Sequence, residues 1–194
     1  MSAGPLRLPL PVRRSPPFSR TLVVNSRNFS VELRGSFETS SNTPVTLADS
    51  VGTIRLGYLD ATRFTVQAIG TVRTSDRSRL KFSGTIQPAY EDGTSNQLPM
   101  VPVAQIDGRG EVDFRFPVTL STSVAYVSKR NVDRTGTTTL GDYMLLGLGA
   151  STSVVPKTIL ALDVSNLLNT KYDWWRNYQA PGIAVVFNAR VNIR

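Results

Sequence analysis

The chain has 194 residues, 40% of them hydrophobic, with no cysteine, no histidine and a formal charge of +8; its mean hydropathy is -0.10. That length can bury a core, but thiolate metal sites, disulfides and imidazole chemistry are excluded. No apolar stretch approaches the roughly 18–20 residues of a membrane helix; the richest, Tyr143 to Ala150, is short and holds two glycines, so a helical membrane protein is excluded as well.

Residues 1–27 contain Arg7, Arg13, Arg14, Arg20 and Arg27 and no acid, so five of the eight excess charges sit there and +3 remains for the rest. A basic tail differs from a basic binding surface, and no nucleic-acid partner is expected. Residues 1–20, rich in Pro and Arg, are predicted to be a disordered leader. They lack the continuous apolar core of a secretory signal, so Met1 is not expected to be the start of the natural protein. Residues 21–194 are predicted to form one all-β unit.

Along that unit apolar and polar residues alternate, as they do when successive side chains of a strand face opposite sides of a sheet. Phe29, Val31, Leu33, Gly35 and Phe37 alternate with Ser30, Glu32, Arg34, Ser36 and Glu38. Ile54, Leu56 and Tyr58 form a shorter, weaker run. Phe64, Val66, Ala68, Gly70 and Val72 then alternate with Arg63, Thr65, Gln67, Thr71 and Arg73, and Leu80, Phe82, Gly84 and Ile86 follow the same pattern. The clearest run is Val103 to Phe116. Ala104, Ile106, Gly108, Gly110, Val112, Phe114 and Phe116 occupy one face, and Gln105, Asp107, Arg109, Glu111, Asp113 and Arg115 the other. Strands led by Leu120, Met144, Leu160 and Ile183 continue the code to the end. A tilted strand crossing a bilayer needs about 9–11 residues, whereas strands of soluble proteins have about 5–6.

The connections alternate in length. Pro117 with Val118 and Pro156 with Lys157 mark tight turns, whereas Ala89 to Pro102, Arg130 to Asp142 and Asn166 to Pro181 are long. Short turns on the periplasmic side and long loops outside are the habit of outer-membrane barrels. Tyr58, Phe64, Phe116, Tyr126 and Tyr143, near strand ends, suit the aromatic girdles at membrane interfaces. The predicted fold is therefore an antiparallel transmembrane β-barrel, a meander of about 8–10 strands.

The closing segment carries a family likeness. Asp163-Val164-Ser165-Asn166-Leu167-Leu168-Asn169-Thr170-Lys171-Tyr172 is followed by Tyr178, Pro181-Gly182 and a last alternating strand. This resembles the C-terminal end of TonB-dependent outer-membrane receptors. Leu98-Pro99-Met100-Val101-Pro102 resembles the entry to a late strand, Tyr126-Val127-Ser128-Lys129-Arg130 a strand end before an outer loop, and Gly141-Asp142-Tyr143 the re-entry. Ile183 and Arg194 depart from the family, where Arg after Pro-Gly and an aromatic terminus are usual. The resemblance implies part of a 22-stranded barrel that takes up a bulky nutrient such as a ferric siderophore. It also implies partners: outer-membrane lipid, a plug domain and the TonB system.

No nucleophile elbow, phosphate loop or metal-spaced cluster appears, so neither an enzyme nor a cofactor is expected. Asp107, Arg109, Glu111, Asp113 and Arg115 are candidate lumen-wall residues, better suited to mutual neutralisation than to acid–base work. Arg134, Trp174, Trp175, Arg176 and Tyr178 are candidate ligand contacts on outer loops, whose aromatics can also anchor the interface. Asn166 and Asn169 are expected to satisfy loop backbone groups. Two alternatives stay open: a small closed barrel with a structural or adhesive role, and a soluble β-sheet binding protein.

Overall fold

The computed structural model describes residues 13–14, 18–48, 54–153 and 157–191. Among them every regular element is a β-strand, and nine long ones follow in order. They are β1 (Phe18–Asn25), β2 (Phe29–Ala48), β3 (Ile54–Ser75), β4 (Ser78–Ile86), β5 (Ala104–Asp113), β6 (Val118–Val127), β7 (Tyr143–Thr152), β8 (Thr158–Ser165) and β9 (Ala184–Val191). Each pairs antiparallel with its neighbours in sequence, giving one meander. The tight turns are too short for a crossover, and among the described residues the long loops form no helix, so each strand pairs antiparallel with the next. Two short pieces extend the sheet at its edges of contact: Arg13–Arg14 pairs with Ser40 and Ser41, and Ala89–Glu91 with Ala61 to Arg63.

The registers carry the alternation across the whole sheet. Val24, Val31, Gly70, Phe82, Gly108, Val124 and Leu146 lie opposite one another in turn, one row across seven strands. Val112, Leu120, Ala150, Leu162 and Phe187 make a second row nearer the Pro117 turn. Because the side-chain period is two, a slip of one residue in any pair would break both rows. This face is uncovered. Leu33, Phe64, Leu80, Ile106, Val124, Leu148 and Phe187 are all exposed on it. A soluble sandwich would bury such a face under a second sheet; here a single layer leaves it to an apolar solvent.

Two details suit lipid contact. The Phe82 ring lies over Gly70, filling the space a side chain would occupy there and covering its backbone. Phe18, Phe37 and Phe64 face one another across β1, β2 and β3, an exposed aromatic row at one margin of the apolar band. Phe29, at the other margin of β2, is eight residues below Phe37, about 27 Å along the strand at a rise of ~3.4 Å. That approximates the apolar band of an outer-membrane barrel, about 25 Å tall.

Several expectations are corrected. The leader boundary at residue 20 falls inside β1, whose Arg20 lies 5.3 Å from the ring centroid of Phe18. Val23 interrupts the alternation there, which hides the strand from a periodicity reading. The rest of the predicted leader, residues 1–12 and 15–17, lies outside the described residues, as do Pro156, Ile193 and Arg194. The runs around Ile54 and Phe64 are one strand of 22 residues. It pairs with β2 through a bulge between Ser40 and Thr43, where Asn42 takes φ 55° and its N–H donates to Asp60 Oδ1 at 2.9 Å. The strand predicted to reach Phe116 stops at Asp113. Val118 N–H then donates to Phe116 O at 2.6 Å, which closes a turn around Pro117. Finally, Tyr143 faces the polar side with Gln105 rather than joining the girdle.

The sheet is open. Among the described residues β1 pairs with β2 alone in the meander and β9 with β8 alone, so the small closed barrel is not formed.

Candidate functional site

Every turn around residues 26–28, 76–77 and 114–117 lies at one end of the sheet. Arg73 N–H donates to Asn28 O and Asp113 N–H to Arg77 O, each at 2.7 Å, which joins those turns into one rim. The three long loops gather at the opposite end, over the polar face.

The first loop folds back on the sheet. Ala89 and Leu98 pack with Val45, Leu59 and Ala61, the main apolar cluster among the described residues. Leu59 and Ala61 belong to the polar-face register of β3, so the loop covers the mouth of that face and not the apolar band. The second loop turns on Asp133. Its carboxylate accepts from Thr137 N at 3.0 Å, Thr137 Oγ1 at 2.8 Å and Thr138 N at 2.6 Å. Burial pushes this carboxyl up, but the bonds from Thr137 and Thr138 outweigh it and hold the group well below the usual range.

Asn166 organises the third loop. It is buried, takes φ 53°, donates through Nδ2 to Thr170 O at 3.0 Å and Pro181 O at 3.4 Å, and accepts from Thr170 N at 2.9 Å. Asn tolerates left-handed backbone better than other non-glycine residues. The expected role of Asn166 is thus met. Asn169 lies so close to Gly182 that a side chain there would strike its Oδ1.

Contacts between loops make the three a unit. Arg134 pairs with Glu91, Nε to Oε2 at 2.7 Å. Its hydrogen bond holds the Glu91 carboxyl below the usual range against the opposing effect of burial. Met100 N–H donates to Asn131 O at 2.7 Å. Arg130 Nη2 donates to Asp173 O at 2.9 Å and Trp174 O at 3.2 Å, clamping the hairpin Asp173–Trp175/Tyr178–Gln179.

The five predicted loop residues separate accordingly. Arg134 pairs with Glu91 while its side chain stays exposed. Trp174 and Tyr178 belong to an aromatic chain: Tyr143 stacks on Tyr172 at 4.1 Å between centroids, Tyr172 meets Trp174 at 6.4 Å, and Trp174 lies 6.5 Å from Tyr178. Trp174, Trp175 and Tyr178 are exposed, and Arg176 sits at the hairpin tip beside Asn177, whose φ is 62°. Sequence reading missed Glu91, Arg130 and the inward placement of Tyr143. Each lies at a strand end or in a loop, where periodicity carries no signal.

On the polar wall Glu111 sits between Arg79 of β4 and Arg109 of its own strand, the latter at 2.9 Å. The two guanidiniums neutralise this carboxylate in place. Asp113 accepts from Thr119 Oγ1 at 2.7 Å, and Asp107 lies across from Ser83 and Ala125. Arg115 has left the strand for the turn. Lys81, opposite Arg109, was not predicted as part of this wall. Among the described residues no group of acids is placed to hold a metal.

No family model and no curated relative matches the chain. Solved structures do. The ferric yersiniabactin uptake receptor FyuA from Yersinia pestis aligns over 92% of this chain and 30% of its own, with a TM-score of 0.76 and 14% identity. The copper transporter OprC aligns over 94% and 31%, with 0.77 and 10%. The pyoverdine outer membrane receptor FpvA from Pseudomonas aeruginosa PAO1 aligns over 91% and 29%, with 0.69 and 12%. The chain spans under a third of the length of these receptors. Its fold is that of one sector of the β-barrel wall of an outer-membrane receptor.

Proposed function

We propose that this chain forms one sector of the wall, with its outer loops, of an outer-membrane receptor that takes up a bulky nutrient in a TonB-dependent way. The observation that carries the reading is the segregation of connections: tight turns at one rim, three interlocked loops at the other, and an uncovered apolar face between them. This is the asymmetry of an outer-membrane barrel. The neighbours add support, since FyuA is an uptake receptor for ferric yersiniabactin and OprC a copper transporter. A ferric siderophore is therefore the ligand class proposed here.

In this reading lipid meets the rows of Val124 and Leu120, and Asp107, Arg109, Glu111 and Asp113 line the passage, with Arg115 at its inner rim. The loops capture the ligand through Trp174, Trp175, Arg176 and Tyr178, while Arg134 braces them. A plug domain fills the lumen and couples to the TonB system. The chain supplies binding and passage and catalyses nothing.

The test is topological. With the protein in the outer membrane of intact cells, a peptide tag at Gly136 should stain, and one at Lys157 only after permeabilisation. Staining of the Lys157 tag with the Gly136 tag hidden would invert the barrel. Recovery of the protein in a soluble fraction would end the membrane reading.

A further inference from the structure

Arg130 is 94% buried, since only 6% of its surface is accessible, and its Nη1 has no hydrogen-bond partner among the described residues. No acidic side chain there pairs with it either. Its Nη2 rests on two neutral carbonyls, and its guanidinium lies 5.7 Å from the ring centroid of Tyr143. A buried cation compensated only by carbonyls and a ring face is poorly satisfied. A carboxylate offers the guanidinium an opposite charge and a bidentate fit that two neutral carbonyls cannot supply. The cation also stands at the root of an aromatic chain that runs from half-buried Tyr143 and Tyr172 to exposed Trp174 and Tyr178.

We infer that Arg130 is an oxyanion anchor, and that the outer loops take a ligand bearing a carboxylate or like oxyanion next to a flat aromatic group. The anion replaces the carbonyls of Asp173 and Trp174 on the guanidinium, and the aromatic part lies against Trp174 and Tyr178. Because those carbonyls are what Arg130 uses to hold the hairpin, the exchange loosens Asp173–Gln179 as the ligand seats. Ligand entry and hairpin release are one event. This rests on the receptor reading for its ligand, but its test does not depend on transport.

The chain has two tryptophans, and both lie in this hairpin, so their emission reports on this site. The probe is benzoate, with benzamide as its neutral isostere, titrated into the full chain in detergent micelles. Benzoate should change the tryptophan emission saturably, with benzamide at least tenfold weaker, and Arg130→Gln should erase the difference. Equal binding of the two by the unmodified protein would overturn the anchor, as would a benzoate preference that survives in R130Q. If R130Q alone shifts the emission further, to that of fully solvated tryptophan, its hairpin is already loose, and Arg130→Lys replaces it. R130K keeps the charge but not the fork, and should keep a reduced benzoate preference; full loss of hairpin order with an unchanged preference would again overturn the proposal.

Discussion

Arg134 and Glu91 join two loops that β5 and β6 separate in the chain, the guanidinium Nε donating to Glu91 Oε2 at 2.7 Å. Nothing else ionic bridges these loops among the described residues, so the pair supplies the charged part of what holds them, beside the Met100–Asn131 backbone bond.

That gives a pH dependence. The hydrogen bond from Arg134 holds the Glu91 carboxyl below the usual carboxylate range, so the pair stabilises the folded loops at and above that range and loses effect as pH falls through the lower folded value. Spin labels at Ser95 and Thr135 should give a narrow distance distribution down to a pH of about 5 and a broad one under strong acid. Glu91→Gln should be broad throughout. Asp133, also held low, titrates in the same direction; a Glu91→Gln profile that still sharpens with rising pH would assign the effect to Asp133 instead.

The depth of the apolar face is testable residue by residue. Val124 lies mid-strand in the long apolar row, whereas Val112 is one residue from the end of β5. Val124→Arg should cost about 2–4 kcal/mol in a lipid refolding titration, and Val112→Arg only about 0–1. Ala125→Arg, on the polar face opposite Asp107, should be mild. A Val124→Arg protein as stable as Ala125→Arg would mean that the face does not meet lipid.

Glycines on the two faces should behave oppositely. A methyl at Gly84 meets nothing within 4 Å, whereas one at Gly149 comes 2.6 Å from both Asp163 Oδ1 and Ser121 Oγ. Gly84→Ala should stabilise by about 0.5–1 kcal/mol through lost unfolded-chain entropy. Gly149→Ala should destabilise by about 1–3 kcal/mol, because the inner face is already filled between β6 and β8. Urea midpoints in lipid vesicles measure both, and a shift of the same sign in each would contradict the packing.

Asn166 should be the most sensitive position of the third loop. Asn166→Ala leaves the Thr170 N–H and the Thr170 and Pro181 carbonyls without their partner, at about 1–3 kcal/mol, and adds strain at φ 53°. Asn166→Gly removes the strain alone and should fall between Ala and the native residue. If Ala and Gly were equal in the same urea titration, backbone conformation would not contribute.

What the sequence by itself determined is the pattern with period two. Alternation along β5, β6 and β7 names the apolar and polar faces without any structure, because pleating obliges neighbouring side chains to diverge. The contrast between Pro117 and the long loops likewise tells the rims apart, and the Asn166 to Gly182 stretch points to the right family of folds. Tertiary structure decided what depends on registers and on loops. Phe18, Phe37 and Phe64 become one aromatic row only when β1, β2 and β3 are paired. Arg79 reaches Glu111 across a strand boundary that no periodicity reveals. Arg134, a candidate ligand contact, also pairs with Glu91, while Arg130, read in the sequence only as the end of a strand, is a buried cation. Strand faces follow from local backbone geometry, which each residue carries with it. Loop partners are set by contacts among segments far apart in the chain, and those exist only once the sheet has brought the three loops to one rim.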